Sequence, residues 1–271
     1  MWHSRHSENA APIYDHGLSQ GDSLVEKIRQ ALLVFVLLCA ASTASAQVVV
    51  PAGGSLALGG GSLNLAGSSL QIGGLLSLAG GSLANVANLI IGAGGTLDAG
   101  SGQVTVKGDW SNSGNFLAGS SSVSFVDGVA SSQILGNTGF ANVSFLSATG
   151  KSYLFAAGTT QTIAGLLTIG GVAGLPIQFR STAAGQAANI NLLSGGSQSI
   201  THVGVSDVHA TGQQLAPNQT NEGGSGNATG WFAAVINTAV PANALSPLGM
   251  LLFGLAMLAG AGLARRSGLK A

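Results

Sequence analysis

Aliphatic residues recur every seven positions near the start of the stretch 53–106, with small residues between them. Leu56, Leu63 and Leu70 stand seven apart, and each is followed two positions later by another aliphatic residue. Side chains at i and i+2 point to the same face of an extended strand. The Gly-Gly pairs between them permit backbone conformations that other residues resist. The pattern therefore predicts strands of three or four residues separated by bends.

A longer period appears when the apolar positions are followed down the chain. One column of aliphatic residues advances in steps of 20, 21, 19, 20 and 20 residues. Three seven-residue units make about one such step, as three short strands per turn of a parallel β-helix require. We therefore predict an all-β fold, a right-handed parallel β-helix (solenoid), over residues 47–237. At roughly 20 residues per turn its rod is roughly 40 Å long. The column is Leu63, Leu83, Val104, Val123, Val143 and Ile163, and beside it stand Leu65, Val106, Phe125 and Phe145.

Aromatic residues divide this body into two halves. None occurs between residues 47 and 109, whereas the next 70 residues are rich in rings. An aromatic stripe can bind sugars, but period-two alternation places several of these rings inward, where stacking would bury them. We expect core rather than a ligand platform. The rings are Trp110, Phe116, Phe125, Phe140, Phe145, Tyr153, Phe155 and Phe179.

Residues 27–46 have the three parts of a secretory signal peptide. A basic start precedes a short apolar run, and Ala44 and Ala46 form an A-x-A cleavage site that would leave Gln47 as the first residue. The apolar run is too short to span a bilayer comfortably. Residues 1–26 are polar, and we interpret them as an extended leader or as translated sequence upstream of the true start.

The C-terminal segment, residues 238–271, contains a candidate membrane helix. Residues 248–264 are 17 uncharged residues, near the lower limit for a membrane span, and the basic residues Arg265 and Arg266 follow them. Such a basic cluster should stay on the cytoplasmic side. Before processing, the body would then lie outside the inner membrane, anchored by this helix.

This tail resembles the C-terminal sorting tails of Gram-negative bacteria, most closely the IPTL-CTERM type, which is similar in design to PEP-CTERM tails. It departs from the type by an insertion at 242–244 and by Leu248 where a Trp is usual. The resemblance implies an enzyme that recognises and removes the tail and passes the body to the cell surface. The alternative is a plain tail anchor. The matching residues are Val240, Pro241, Leu245, Ser246, Pro247 and Gly249, followed by Arg265 and Arg266.

The body is similar in style to exported bacterial β-helix proteins related to filamentous adhesins. The resemblance covers roughly residues 95–232 and implies a surface or matrix component. The segments that carry it are 104–116, 118–125, 165–171, 176–181 and 203–210.

Composition narrows the choice of partners. Only 7% of the 271 residues are charged and the formal net charge is zero, so no basic surface is available for nucleic acid. Disordered chains are usually charged and poor in apolar residues, unlike this one, which is 46% hydrophobic. The single cysteine, Cys39, lies in the signal peptide, and Leu38 before it argues against lipid attachment.

Few residues could carry catalysis. Asp109 and Asp127 could fall on adjacent turns, but two carboxylates are weak evidence for an active site. His202, Asp207 and His209 form the densest ionisable group. We interpret His202 as outward and solvated and the other two as turn residues. We expect no catalytic site, no cofactor and no metal. The acids between 47 and 240 are Asp98, Asp109, Asp127, Asp207 and Glu222, and the cations are Lys107, Lys151 and Arg180.

The body has a distinct end. Residues 217–230 have the composition of turns and linkers. Residues 231–236 are predicted to form a final strand that closes the coil, because a terminal turn must hide an open edge.

The sequence thus predicts a non-enzymatic, structural or adhesive β-helix on the cell surface, in the outer membrane or in the extracellular matrix. Its predicted partners are the secretion machinery, signal peptidase, a tail-processing enzyme, the inner membrane, and extracellular polysaccharide or other surface polymers. Two alternatives stay open. One is a carbohydrate-active β-helix lyase or hydrolase, and the other is a disordered Gly-rich extracellular polymer.

Overall fold

The structure, a computed structural model, describes residues 46–232 and builds them from 23 short strands. No α-helix occurs in that range, so the all-β prediction is confirmed there. In chain order the strands are β1 (Gln47–Val50), β2 (Ser55–Ala57), β3 (Ser62–Asn64), β4 (Ser69–Ile72), β5 (Leu75–Ser77), β6 (Ser82–Val86), β7 (Leu89–Ile91), β8 (Thr96–Asp98), β9 (Gln103–Val106), β10 (Trp110–Asn112), β11 (Asn115–Leu117), β12 (Ser122–Phe125), β13 (Ser131–Leu135), β14 (Thr138–Phe140), β15 (Asn142–Leu146), β16 (Ser152–Phe155), β17 (Thr160–Ile163), β18 (Leu166–Gly170), β19 (Ile177–Ser181), β20 (Ala188–Leu192), β21 (Ser197–Thr201), β22 (Val203–Ser206) and β23 (Val208–Ala210).

These strands form three faces of one coil. Face A is an eight-stranded sheet in the order β1-β4-β7-β10-β13-β16-β19-β22, and face C is a seven-stranded sheet from β3 to β21. Face B consists of two four-stranded sheets, β2-β5-β8-β11 and β14-β17-β20-β23. Every pairing between these strands is parallel. Because hydrogen-bonded neighbours are three strands apart in sequence, each turn adds one strand to each face. The chain is therefore a parallel β-solenoid of about eight turns.

The seven-residue unit of the sequence corresponds to one strand and one corner. Leu56, Leu63 and Leu70 lie in β2, β3 and β4, one on each face. Several corners require glycine, because a Cβ built on Gly81 would collide with the backbone carbonyl oxygen of Gly61 in the turn before it. The predicted alternation of short strands and glycine bends is confirmed.

The predicted aliphatic column is confirmed except at its last member. Leu63, Leu83, Val104, Val123 and Val143 are successive register partners on face C. Val143 pairs next with Leu167, a step of 24 residues, whereas Ile163 lies in β17 on face B and pairs with Phe140. The prediction for Ile163 is wrong because the sixth turn is longer than the five before it.

Face B is interrupted between β11 and β14, and the shape of the coil changes there. Four residues separate β11 from β12, but Ala141 alone separates β14 from β15. Side chains bridge the gap in the ladder: the Asn112 amide donates to Thr138 Oγ1 at 3.2 Å, and the Trp110 indole donates to the same oxygen at 3.0 Å. The corner between faces B and C is therefore one residue long in the fifth turn, whereas it is four residues long in each of the first four turns.

The core changes character at the same place. The early turns bury leucine, isoleucine and valine, while the later turns bury all eight predicted rings, none more than 9% exposed. Phe125 and Phe145 are register partners whose rings stack at 4.9 Å and 10°. The prediction that the rings form core is confirmed.

Residues 211–232 fold over the last turn as a cap. Gly226 bridges to Ser206 of β22, and Trp231 bridges to Leu215. The Trp231 ring is 5% exposed and meets Phe179 edge-to-face at 6.0 Å. Residues 217–230 contain turns and bends, as their composition predicts. They do not form a free linker, because backbone bonds such as Glu222 N to Val203 O at 3.0 Å hold this segment on the coil. Of the predicted final strand, residues 233–236 lie outside the described range.

Other sequence predictions also fall outside residues 46–232. These are the leader 1–26, the signal peptide apart from Ala46, and the tail 238–271 with its helix 248–264. Within the described range, Ala46 and Gln47 are exposed, and β1 begins at Gln47.

Candidate functional site

Charged side chains are concentrated at one corner of the coil. Residues 46–232 contain eight Asp, Glu, Lys and Arg residues, and four of them lie where the chain passes from face C to face A of the next turn. We call this the C–A corner. Asp109 and Asp127 occupy it in successive turns, as predicted. The four residues are Lys107, Asp109, Asp127 and Lys151.

Lys151 is a buried cation at this corner, with 1% of its surface exposed. Its ammonium donates to the backbone carbonyls of Lys107 and, at 2.8 Å, of Val126, and lies 5.1 Å from the centre of the Tyr153 ring. Burial lowers the pKa of Lys151 to about 8, although Asp127 and Asp109 act to raise it. This role of Lys151 was not predicted from the sequence. Period-two alternation could have indicated it, because it places Lys151 on the same inward side as Tyr153 and Phe155.

The two aspartates of the C–A corner accept hydrogen bonds from backbone N–H groups of the next turn. Asp109 Oδ1 accepts the Gln133 N–H at 2.7 Å, and Asp127 Oδ2 accepts the Ala148 N–H at 2.9 Å. Burial acts to raise the pKa of Asp127, but hydrogen bonds from Ser147, Ala148 and Thr149 and the charge of Lys151 together hold it below its usual value. An open groove of about 450 Å³ passes beside Asp127. Its carboxylate is poorly suited to general acid catalysis, which needs a raised pKa.

Two hydroxyls near Lys151 are buried without partners. Ser132 and Tyr153 are register partners on face A, and neither hydroxyl has a hydrogen-bond acceptor or donor among residues 46–232. Burial raises the pKa of Tyr153 well above its usual value, and the charge of Asp127 adds to the effect. Tyr153 therefore stays neutral, with its ring packed edge-to-face on Phe145 at 4.9 Å.

Arg180 holds the cap on the coil. Its guanidinium donates to the backbone carbonyls of Gly204 at 2.9 Å and of Gly223 at 2.8 Å. The neighbouring Gln178 amide donates to the carbonyl of Glu222 at 3.1 Å. Arg180 thus satisfies the carbonyls of an irregular loop that makes few ladder bonds.

The three candidate histidine and aspartate residues do not form one site. His202 Nδ1 lies 3.1 Å from Glu222 Oε1, and its side chain is 38% exposed. His209 Nε2 instead lies 2.9 Å from Asn227 Oδ1, and Asn227 also donates to Asp207 Oδ1 at 2.6 Å. The outward position of His202 and the turn position of Asp207 are confirmed. The turn interpretation of His209 is wrong, because it pairs with Asn189 inside β23.

The outward side of face C has a different chemistry. None of its seven strands contains a charged residue. A hydroxyl residue occupies the same register position in five consecutive turns, and Ser144 Oγ donates to Ser124 Oγ at 2.8 Å. We call the outward side of β9, β12, β15, β18 and β21 the hydroxyl face. Its central column is Thr105, Ser124, Ser144, Thr168 and Ser199.

The hydroxyl column was not predicted from the sequence, although the apolar pattern contains a signal for it. Thr105, Ser124 and Ser144 each stand between two inward apolar residues of the aligned columns. Period-two alternation turns the residue between two inward neighbours outward. The position of the hydroxyl face could therefore have been found from the same spacing that predicted the core.

Within residues 46–232, no group of three or more His, Cys, Asp or Glu residues is placed to hold a metal ion. The same range contains no helix long and apolar enough to cross a membrane. The residues predicted for the sorting tail, and Ala44 of the predicted cleavage site, lie outside that range.

Comparison of the chain with protein-family models, with curated proteins and with solved structures finds no match. The class of the protein is therefore defined by its own fold, that of a parallel β-solenoid with an aliphatic first half and an aromatic second half.

Proposed function

We propose that this chain is an exported, non-enzymatic β-solenoid that serves as a structural or adhesive component of the bacterial cell surface or matrix. The observation that carries the proposal is the role of its carboxylates. Within residues 46–232, each of the five carboxylates is hydrogen-bonded to another part of the coil. Four accept a backbone N–H, the fifth pairs with a histidine, and each therefore stabilises the coil. The pairs are Asp98 with Gly100, Asp109 with Gln133, Asp127 with Ala148, Asp207 with Gly185, and Glu222 with His202.

Export and sorting rest on the two ends of the sequence. β1 begins at Gln47, the residue that follows the predicted cleavage site, so cleavage after Ala46 would leave a body that starts with its first strand. The tail 238–271 has the layout of a sorting signal, and a processing enzyme would release the body from the inner membrane. The proposal includes a right-handed coil, because connections between parallel strands of one sheet are right-handed in nearly all proteins.

The geometry favours this function over the two alternatives. A glycoside hydrolase needs a pair of carboxyl groups, one of which donates a proton and has a raised pKa. Asp127 has a lowered pKa, and Asp109 and Asp127 are each engaged by a backbone N–H. A disordered polymer would have no fixed register, whereas face A pairs eight strands in order.

Mass spectrometry of surface-exposed protein tests the proposal. Surface material released from intact cells should begin at Gln47 and should lack the basic end that contains Arg265 and Arg266. A matched variant, Arg265→Gln/Arg266→Gln, should stay in the cell envelope with its tail attached, while Lys270→Gln should be processed normally. Surface protein that still carries residue 271, or that begins upstream of residue 46, would contradict the proposal.

A further inference from the structure

The hydroxyl face presents polar groups on a regular lattice. Successive turns of a parallel sheet are about 4.8 Å apart, so the five residues of the central column span about 19 Å. Outward residues two positions apart in one strand are separated by about 6.6 Å, which places a second row beside the first. The second row contains Gln103, Ser122 and Asn142 in register, and it continues through the exposed Leu166 to Ser197.

One pair of hydroxyls in the central column is hydrogen-bonded, since Ser144 Oγ donates to Ser124 Oγ at 2.8 Å. The same contact occurs earlier on face C, where Ser82 Oγ donates to Ser62 Oγ at 2.7 Å. A hydroxyl offers one donor and two acceptor lone pairs, so each keeps capacity for a ligand after bonding its neighbour. Ordered groups lose little conformational entropy when a ligand binds, and this pre-organisation favours affinity.

The chemistry of the face excludes several kinds of partner. Binding of nucleic acid or of an acidic polymer depends on Lys and Arg, and the strands of face C contain neither. Protein interfaces are anchored by aromatic residues and Arg in pockets. The two rings in these strands, Phe125 and Phe145, point into the core and are at most 2% exposed. Two leucines, Leu146 and Leu166, are also exposed on the outward side of these strands, at 40% and 41%. An uncharged partner that is rich in hydroxyls and repeats at the spacing between turns fits this surface.

We propose that the hydroxyl face binds an extended, uncharged polysaccharide. This inference rests on the proposed surface function and names its partner. A polysaccharide repeats a unit with several hydroxyls at a spacing comparable to the distance between successive turns, about 4.8 Å. It can therefore exchange hydrogen bonds with Thr105, Ser124, Ser144, Thr168 and Ser199 in sequence. Each bond is weak, and affinity comes from repetition along the rod.

Co-sedimentation of the full-length protein, purified in mild detergent, tests this inference. The probes are microcrystalline cellulose and an insoluble (1→3)-β-glucan, with calcium alginate gel as the acidic control. Ser144→Arg places a bulky charge at the centre of the face, and Ser124→Ala/Ser144→Ala removes two hydroxyls with little risk to folding. The matched control is Ser111→Arg, an outward substitution on β10 of face A. Thermal melting by circular dichroism establishes that each variant is folded.

The wild type should sediment with at least one neutral glucan and not with alginate. Ser144→Arg should lower the retained fraction at least tenfold, the double alanine variant severalfold, and Ser111→Arg should have no effect. The inference would be overturned if the wild type bound neither glucan, if it bound alginate equally well, or if Ser144→Arg and Ser111→Arg lost binding equally. So would inhibition of ice recrystallisation without glucan binding, which would assign the lattice to ordered water. These outcomes leave the surface-localisation test unaffected, so the two proposals fail separately.

Discussion

Lys151 gives the sharpest prediction, because its burial links stability to pH in a known direction. Its pKa is lowered from 10.5 to about 8, mainly by burial. Below pH 8 the residue is protonated in both the folded and the unfolded state. Between pH 8 and 10.5 the unfolded state binds more protons, so the free energy of unfolding rises with pH. At 1.36 kcal/mol per pKa unit, the gain at pH 9.5 is about 2 kcal/mol.

The assay compares wild type with Lys151→Met by urea denaturation of residues 47–237 at pH 7.5 and 9.5. Methionine leaves the carbonyls of Lys107 and Val126 without their donor at every pH, so that loss cancels in the comparison. The wild type should gain about 2 kcal/mol relative to the variant over this interval. Tyr153 sets the upper limit of the window. Its pKa is raised, so ionisation of the unfolded state near pH 10 begins to lower stability again. A difference between the two proteins that is flat from pH 7.5 to 9.5 would refute the assignment of Lys151 as a desolvated cation.

Three further predictions concern the core, the corners and the cap. Phe145→Ala should lower the free energy of unfolding by about 3–5 kcal/mol, because it opens a cavity among stacked rings. Leu146→Ala, on the exposed side of the same strand, should change it by less than about 1 kcal/mol. Urea denaturation measures both effects. Gly81→Ala should destabilise by about 1–3 kcal/mol because its Cβ would strike the carbonyl of Gly61, whereas Gly195→Ala, with open space around it, should be neutral or slightly stabilising. Arg180→Met should raise amide hydrogen exchange in residues 219–224 about tenfold or more, since bonds to a charged group contribute about 1.5–3 kcal/mol; unchanged exchange there would show that Arg180 does not hold the cap.

Much of the fold could be predicted from the sequence because the interior of a solenoid is periodic. Inward residues repeat at i, i+2 and again after a turn, so Leu63 to Val143 aligned as predicted. The alignment fails at the sixth turn because corners tolerate insertions that the strands do not. Leu167, four residues after Ile163, takes the expected place on face C. Corner length is set by backbone geometry and leaves only a weak trace in the apolar pattern.

The contacts of the cap and of Lys151 at the C–A corner could not be predicted, because they too depend on irregular parts of the chain. The cap is held by single polar contacts between residues far apart in sequence, such as Arg180 with Gly223 at 2.8 Å. Nothing local to either residue identifies its partner. The inward position of Lys151 was partly predictable, because period-two alternation places it on the inward side. Lysine is however rarely buried in proteins, which favours a surface position. The reason for its burial is the pair of open carbonyls at Lys107 and Val126, which only the folded corner brings together.

The low charge content of the chain follows from the stacking of like positions. In a parallel solenoid each outward side chain lies about 4.8 Å from its register partners above and below. Like charges placed directly opposite one another are destabilising, whereas hydroxyls and amides bond to their own kind. The two charged residues inside strands obey this constraint: Asp98 lies between Ser77 and Leu117, and Arg180 between Leu154 and Ser206. The remaining charges lie at corners or in the cap, where register is relaxed. Stability alone thus explains why face C is uncharged, but it does not require hydroxyls in five consecutive turns. That part of the pattern is what the polysaccharide proposal addresses.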